Sequence, residues 1–252
     1  MYYHYNNFVS PFGVLWNILG WVIFVCAVIW ILKRVSGKKP WPHGWMRSEF
    51  RDMWKMHAKG EATSTVSINS TVPDFEAEIY QAGDIKKVRL SDYIGKWVVI
   101  IFYPADFTYV CPTELEDAQK LYSEFKKDGA EVISVSTDTA FSHKAWHDTS
   151  PAIGKVEYPM MADPTGNISR QFGVYINDEG MALRGTFIID PDGVLKTIEI
   201  NNNDVGRSAK ESLRKFHAAK FVREHPGGNV CPANWEPGKE HLHKDLKLVG
   251  KI

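Results

Sequence analysis

Tyr103-Pro104-Ala105-Asp106-Phe107-Thr108-Tyr109-Val110-Cys111-Pro112-Thr113-Glu114-Leu115 joins two stretches of different periodicity. Before it runs Trp97-Val98-Val99-Ile100-Ile101-Phe102, an unbroken apolar series that reads as a strand buried on both faces. After it, Leu115, Ala118, Leu121, Tyr122 and Phe125 recur at helical spacing up to Lys127. Cys111 therefore falls at a strand-to-helix junction. Pro112 suits the first helical position, having no amide proton to lose, and this puts Cys111 at the helix N-terminus, where free N–H groups and the macrodipole favour an anion. The anion expected there is a thiolate.

A cysteine taken in isolation is more often a small buried hydrophobe. Two features point away from that here: a hydroxyl at Thr108, one helical turn upstream, and the return of Val110-Cys111-Pro112 as Val230-Cys231-Pro232 near the end of the chain. Together with PADFTYVCPTEL (104–115), the segments SVSTDTAFSHKAWH (134–147), ADPTG (162–166), LRGTFIIDP (183–191) and VCPANW (230–235) resemble the typical two-cysteine peroxiredoxins of the alkyl hydroperoxide reductase C type. The resemblance runs from about Ile68 to Ile252 and leaves the first sixty or so residues uncovered. It implies an α/β, thioredoxin-like fold and a thiol peroxidase that needs no cofactor and no metal.

The chain of 252 residues is 44% hydrophobic and carries 30 basic and 30 acidic side chains, enough for one substantial core plus an appendage. Zero net charge argues against nucleic acid as a partner. Three cysteines in so long a chain make no disulfide scaffold, so they read as individually placed thiols in a reducing compartment.

Four regions are expected: 1–34, an N-terminal segment and transmembrane helix; 35–67, a juxtamembrane linker with an amphipathic helix; 68–225, the thioredoxin-like domain; and 226–252, a tail carrying Cys231. Residues 12–32 hold no charge, and as a helix they would span about 31 Å at ~1.5 Å per residue, enough to cross a bilayer. No Lys or Arg precedes them and no small-residue cleavage site follows, so the stretch reads as a retained anchor rather than a signal peptide. Lys33, Arg34, Lys38 and Lys39 follow it, which places the N-terminus outside and the catalytic body on the cytoplasmic side. Tyr2, Tyr3, Tyr5 and Trp16 at one end, with Trp30 and Trp41 at the other, fit interfacial aromatic belts. Cys26 within the span reads as a small hydrophobe, and Asn17 as an interfacial residue or a contact to another membrane helix. Residues 45–57 place Met46, Phe50, Met53, Trp54 and His57 on one helical face, suited to the headgroup layer or to docking on protein.

Within the body, 131–136 reads as a strand, 141–148 as a helix and 184–190 as a strand. Pro191-Asp192-Gly193 turns into a hairpin partner over 194–200. Ser208-Ala209-Lys210-Glu211 is a capping-box sequence, opening a helix that runs to about His225 and stops at Pro226-Gly227-Gly228. His143 with His147, and His241 with His243, are spaced so that either pair could contribute to a metal site, but no cysteine or carboxylate is placed to complete a set.

Thiolate attack on a peroxide leaves a sulfenic acid. For any thiol, moving the pKa from ~8.5 to ~6.5 raises the ionised fraction at neutral pH about 25-fold. Nucleophilicity falls about six- to tenfold over the same shift, so the net gain is only a few-fold. Most of the acceleration must come from groups that hold the peroxide and stabilise charge on its two oxygens. Residue by residue, the resemblance implies that Thr108 hydrogen-bonds peroxide and thiolate, that Arg184 holds both with its fixed guanidinium fork, and that Pro104 walls the sulfur from water. Glu114 is expected to support the arginine rather than touch substrate. Cys231 would then attack the sulfenic acid of the neighbouring subunit, and the first turn at Cys111 must unwind for the sulfurs to meet. A thioredoxin-like donor or a flavoprotein disulfide reductase would close the cycle. Hyperoxidation-sensitive relatives carry a Gly-Gly-Leu-Gly insertion and a terminal Tyr-Phe helix; here the corresponding segments are Asp148-Thr149-Ser150-Pro151 and Leu248-Val249-Gly250-Lys251-Ile252, which implies a robust enzyme.

The family commonly builds dimers that assemble as rings of five, and the perpendicular two-folds of such a ring send equivalent chain starts to opposite faces. A dimer with its two-fold along the membrane normal has no such conflict, so a membrane-bound homodimer is expected. Residues 35–66, extended, reach at most about 106 Å at ~3.3 Å per residue, so a tethered ring also stays within reach. A second reading makes the chain an accessory subunit of a larger membrane complex, with Asn17, the aromatic N-terminus and the 45–57 helix as docking surfaces and peroxidase activity secondary.

Overall fold

The computed structural model describes residues 66–251. The transmembrane helix expected at 12–32, the amphipathic helix expected at 45–57 and Cys26 lie outside the described residues. Among those described, no helix is long and apolar enough to cross a membrane.

A seven-stranded sheet organises the domain. Its strands are β1 (Glu76–Gln81), β2 (Asp84–Arg89), β3 (Trp97–Phe102), β4 (Ala130–Ser136), β5 (Met160–Ala162), β8 (Arg184–Ile189) and β9 (Leu195–Asn201), in the order β2-β1-β5-β4-β3-β8-β9. β6 (Tyr175–Ile176) and β7 (Met181–Ala182) form a separate short ribbon. β3 runs parallel to β4 and antiparallel to β8, and all six of its residues are buried. Its side chains alternate between two cores. Trp97, Val99 and Ile101 join the layer under the helices α1 (Cys111–Lys127) and α4 (Ala209–Glu224), while Val98, Ile100 and Phe102 join Phe172, Phe187 and Leu195 on the other face. Burial on both faces is why the run shows no polar alternation. The helix α2 (Ala140–Thr149) contributes Trp146 to the first layer, and the single-turn helix α3 (Asn167–Gln171) contributes Ile168 to the second.

Most expected elements appear within a few residues. The first helix starts at Cys111, so Pro112 is its second residue and Val110 its cap, one place from the expectation. Only half of the expected capping box forms at α4: Ser208 Oγ accepts from Glu211 N–H at 3.3 Å, but the Glu211 carboxylate turns to Arg214. The folded unit takes in Val66, which is buried and donates its N–H to Gln171 O.

The tail after Pro226, which its Pro and Gly content predicts to be rich in loops and mobile enough to reach a partner, holds short structure of its own. Asn229–Val230 (β10) pairs with Leu242–His243 (β11), and Trp235 is buried with its ring 4.8 Å from that of Phe221 on α4. Trp235 Nε1 donates to Lys239 O, and Arg214 Nη1 donates to Trp235 O. Cys231 therefore sits on a fastened tail. The sequence hides this because both strands are two residues long and the decisive contact is a single aromatic.

Candidate active site

β3 delivers the chain to Tyr103 and Pro104, both buried, and the loop that follows returns at Cys111 to start α1. Cys111 is 0% exposed. Thr113 and Glu114 already donate to Val110 O, Pro112 has no N–H, and the Cys111 N–H has no acceptor among the described residues. One backbone donor thus remains free beside the sulfur.

Arg184, the first residue of β8, reaches this point from the neighbouring strand. Its Nη1 lies 3.5 Å from Cys111 Sγ and 2.6 Å from Glu114 Oε2, and its Nε donates to Asn203 O at 2.8 Å. The guanidinium is 3% exposed as part of its residue, so three fixed acceptors set its plane. Glu114, one turn along α1, joins Arg184 to a second cation: it accepts from Arg207 N at 2.7 Å, Nε at 2.9 Å and Nη2 at 3.0 Å. Arg207 Nη1 also donates to Thr186 Oγ1 on β8.

Burial alone would push the Glu114 carboxyl up, but hydrogen bonds and charge from Arg207, with Arg184 behind them, hold it below the ordinary value. For Arg184, burial opposes the charge, and the contacts to Cys111 and Glu114 more than offset this, so its net shift is upward. With Cys111 as a thiolate, two cations face two anions and the buried group is neutral.

The structure thus brings Cys111, Arg184 and Glu114 together, with Pro104 and Thr108 on the adjoining loop. Thr108 departs from its expected contact. Its hydroxyl donates to Ala105 O at 2.9 Å, so its hydrogen is committed to the backbone and its oxygen is left to accept. Contact with a peroxide O–H is compatible with this; donation to the sulfur is not, unless the Ala105 bond breaks. Cys231 stands apart from this group. Its thiol lies 3.8 Å from Ala218 O on α4, beside a groove of about 630 Å³ lined by Val222, Arg214 and Pro232, and burial pushes its pKa up. Both cysteines are free thiols.

Arg207 escaped the sequence reading. The available signal was a lone arginine just before a helix cap, and its partner lies 93 positions upstream. The histidine pairs make other contacts. His143 sits between Asp106 and Met161 O, His147 between Tyr80 and Val156 O, His243 meets Gly227 O, and the His241 ring faces Phe221. Among the described residues, no group of three potential ligands is positioned for a metal.

Comparison with known proteins agrees with this geometry. The AhpC/TSA family matches residues 68–198, and the C-terminal domain of 1-Cys peroxiredoxin matches 218–251, a segment that here includes Cys231. Alkyl hydroperoxide reductase C of Amphibacillus xylanus is 56% identical over 186 residues, covering 73% of this chain and 98% of that protein. Its counterpart in Pseudomonas aeruginosa is 51% identical with the same coverage. Among solved structures, Enterococcus faecalis AhpC superposes with a TM-score of 0.64 at 47% identity, covering 67% of this chain and all of that one. Reduced Plasmodium vivax 2-Cys peroxiredoxin superposes with a TM-score of 0.66 at 34% identity, covering 69% of this chain and 91% of that one. The chain belongs to the AhpC/TSA family and is a peroxiredoxin of the AhpC type, a thiol peroxidase among the oxidoreductases.

Proposed function

We propose that this enzyme reduces hydrogen peroxide and organic hydroperoxides at a membrane surface, with Cys111 as the peroxidatic and Cys231 as the resolving thiol. The observation that carries the assignment of Cys111 is its contact with Arg184, a guanidinium already fixed by Glu114 and Asn203. The Cys111 thiolate attacks the nearer peroxide oxygen. The O–O bond breaks, an S–O bond forms, and the departing alkoxide or hydroxide takes up a proton, leaving water or an alcohol and a sulfenic acid on sulfur. Arg184 and the free Cys111 N–H face the oxygens as negative charge moves between them, Thr108 accepts the peroxide hydrogen, and Pro104 keeps water off the sulfur. The thiol of Cys231 from a second subunit then displaces the sulfenic hydroxyl as water and forms the disulfide. A dithiol donor, thioredoxin-like or a flavoprotein disulfide reductase, returns both sulfurs to thiols.

A homodimer is supported by β9, which lies at the sheet edge and exposes Ile198 and Ile200. The anchor is supported by the uncharged stretch 12–32 and the cations after it, which favour a single-pass protein with its catalytic domain on the cytoplasmic side. Cys231→Ser should keep the first oxidation of Cys111 but lose donor-driven turnover and the cross-linked dimer on non-reducing gels. A cross-linked dimer persisting in that variant sinks the pairing. Removal of residues 1–34 should release active enzyme from the membrane fraction, and retention there refutes the anchor.

A further inference from the structure

Under the loop that carries Pro104 and Thr108 lies a buried polar cluster with no place in the chemistry above. His143 of α2 and Asp106 of the loop have side chains 0% and 1% exposed, with Nδ1 2.9 Å from Oδ2. His143 Nε2 faces Met161 O on β5 at 3.1 Å. A carbonyl only accepts, so Nε2 carries a hydrogen; this tautomer follows from the partners. Tyr103 gives its hydroxyl hydrogen to Asp106 Oδ1 at 2.8 Å. The Asp106 backbone N–H donates to Asp138 Oδ2 at 2.8 Å, and Ser136 Oγ donates to the same oxygen. Asp106 is therefore held at three atoms: by Tyr103 just after β3, by His143 of α2 and by Asp138 in the turn after β4, which Ser136 of β4 braces.

The next residue is Phe107, at φ +56°, a left-handed conformation that is costly for a bulky side chain. The residue is 60% exposed, with its ring 6.0 Å from that of Trp146, so burial supplies little of the restraint. Thr108 follows and closes the loop onto Ala105 O. We infer that His143 is a positioning residue for peroxide reduction: through Asp106, with Tyr103 and Asp138, it holds the strained turn at Phe107 that presents Pro104 and Thr108 to Cys111. The inference rests on the roles given above to those two residues.

Two rates measured on the full chain separate positioning from a general loss of structure: oxidation of Cys111 by hydrogen peroxide in a single turnover, and alkylation of Cys111 by iodoacetamide, followed on its peptide by mass spectrometry. Alkylation needs the thiolate but not the peroxide cradle. His143→Gln should slow oxidation by about 10- to 100-fold while leaving alkylation within about twofold. Adding Phe107→Gly should recover about tenfold, because glycine takes positive φ without strain. Asp138→Ala, which removes the backbone restraint from a half-buried site, should reproduce the split in milder form and serves if His143→Gln does not fold. Unchanged oxidation, a parallel change in alkylation, or no recovery with glycine overturns the inference. Thr108→Val run alongside separates the two layers: if it oxidises at full rate, the role given to Thr108 has failed, whereas slow Thr108→Val beside normal His143→Gln refutes the clamp.

Discussion

Val110-Cys111-Pro112 and Val230-Cys231-Pro232 are the same tripeptide in opposite surroundings. The first opens a seventeen-residue helix, its cysteine fully buried with a guanidinium on the sulfur. The second follows a two-residue strand on the tail, partly exposed, with its thiol against a backbone carbonyl and no charge-assisted hydrogen bond. Cys111 has a guanidinium and a free backbone N–H beside its sulfur, whereas burial, against the charge of Arg214, pushes the Cys231 thiol up. In the proposed cycle it is surroundings, and not the tripeptide, that divide the labour between attack and resolution.

The contrast breaks first at the sulfur itself. Cys111→Ser should abolish peroxide consumption, leaving Cys231 unable to substitute; residual turnover above background would show the two sites to be interchangeable. Arg184→Lys comes next. Lysine offers a point charge where the structure uses a fork with three separate acceptors, so the second-order rate with peroxide should fall about 100- to 1000-fold. A loss of less than about fivefold would remove the guanidinium from the argument.

The buried carboxylate gives a pH test. Because Glu114 is held below its ordinary value in the folded state, its contribution to stability is present above the unfolded value of 4.5 and is lost as pH falls through the depressed folded value. Acid unfolding monitored by circular dichroism should therefore weaken the wild type more steeply below that point than Glu114→Gln, although the variant is less stable near neutrality. Equal slopes would mean that the two arginines do not set the carboxyl. The smallest effect is expected at the other cysteine. In Cys111→Ser protein, alkylation of Cys231 should be slower in the folded than in the urea-unfolded chain near pH 8, with the gap closing as pH rises, since the folded thiol ionises later. Identical rates would place Cys231 in open solvent.

The fold and the placing of the Cys111 sulfur at a helix start were legible because local patterns report them. A two-faced strand, a proline at a helix start and a 3.6-residue repeat lie within thirty residues of one another. The cradle was only partly legible. Arg184 could be assigned through the LRGTF resemblance, whereas nothing local to Arg207 distinguishes it from any cation before a helix; its meaning is set by Glu114 across the fold. The loop cluster hid for a related reason. His143 looks like one of an i,i+4 pair on a helix, yet its partners come from the catalytic loop and from β5, a strand of only three residues. The fastened tail was missed because Trp235 acts through contacts that no periodicity announces: its ring on Phe221, its Nε1 on Lys239 O and its carbonyl on Arg214.

Glu114 travels on the same helical turn as the sulfur. Tyr158 secures the carbonyl of Leu115 at 2.9 Å, which sets a boundary just past Glu114 for any local melting of the helix start. If the turn opens so that a sulfenic acid can meet its resolving thiol, the carboxylate is drawn out from between Arg184 and Arg207, and the oxidised subunit dismantles its own anion trap. Disulfide formation then disarms the catalyst as well as protecting it, and each reduction must rebuild the trap before another oxidant is admitted.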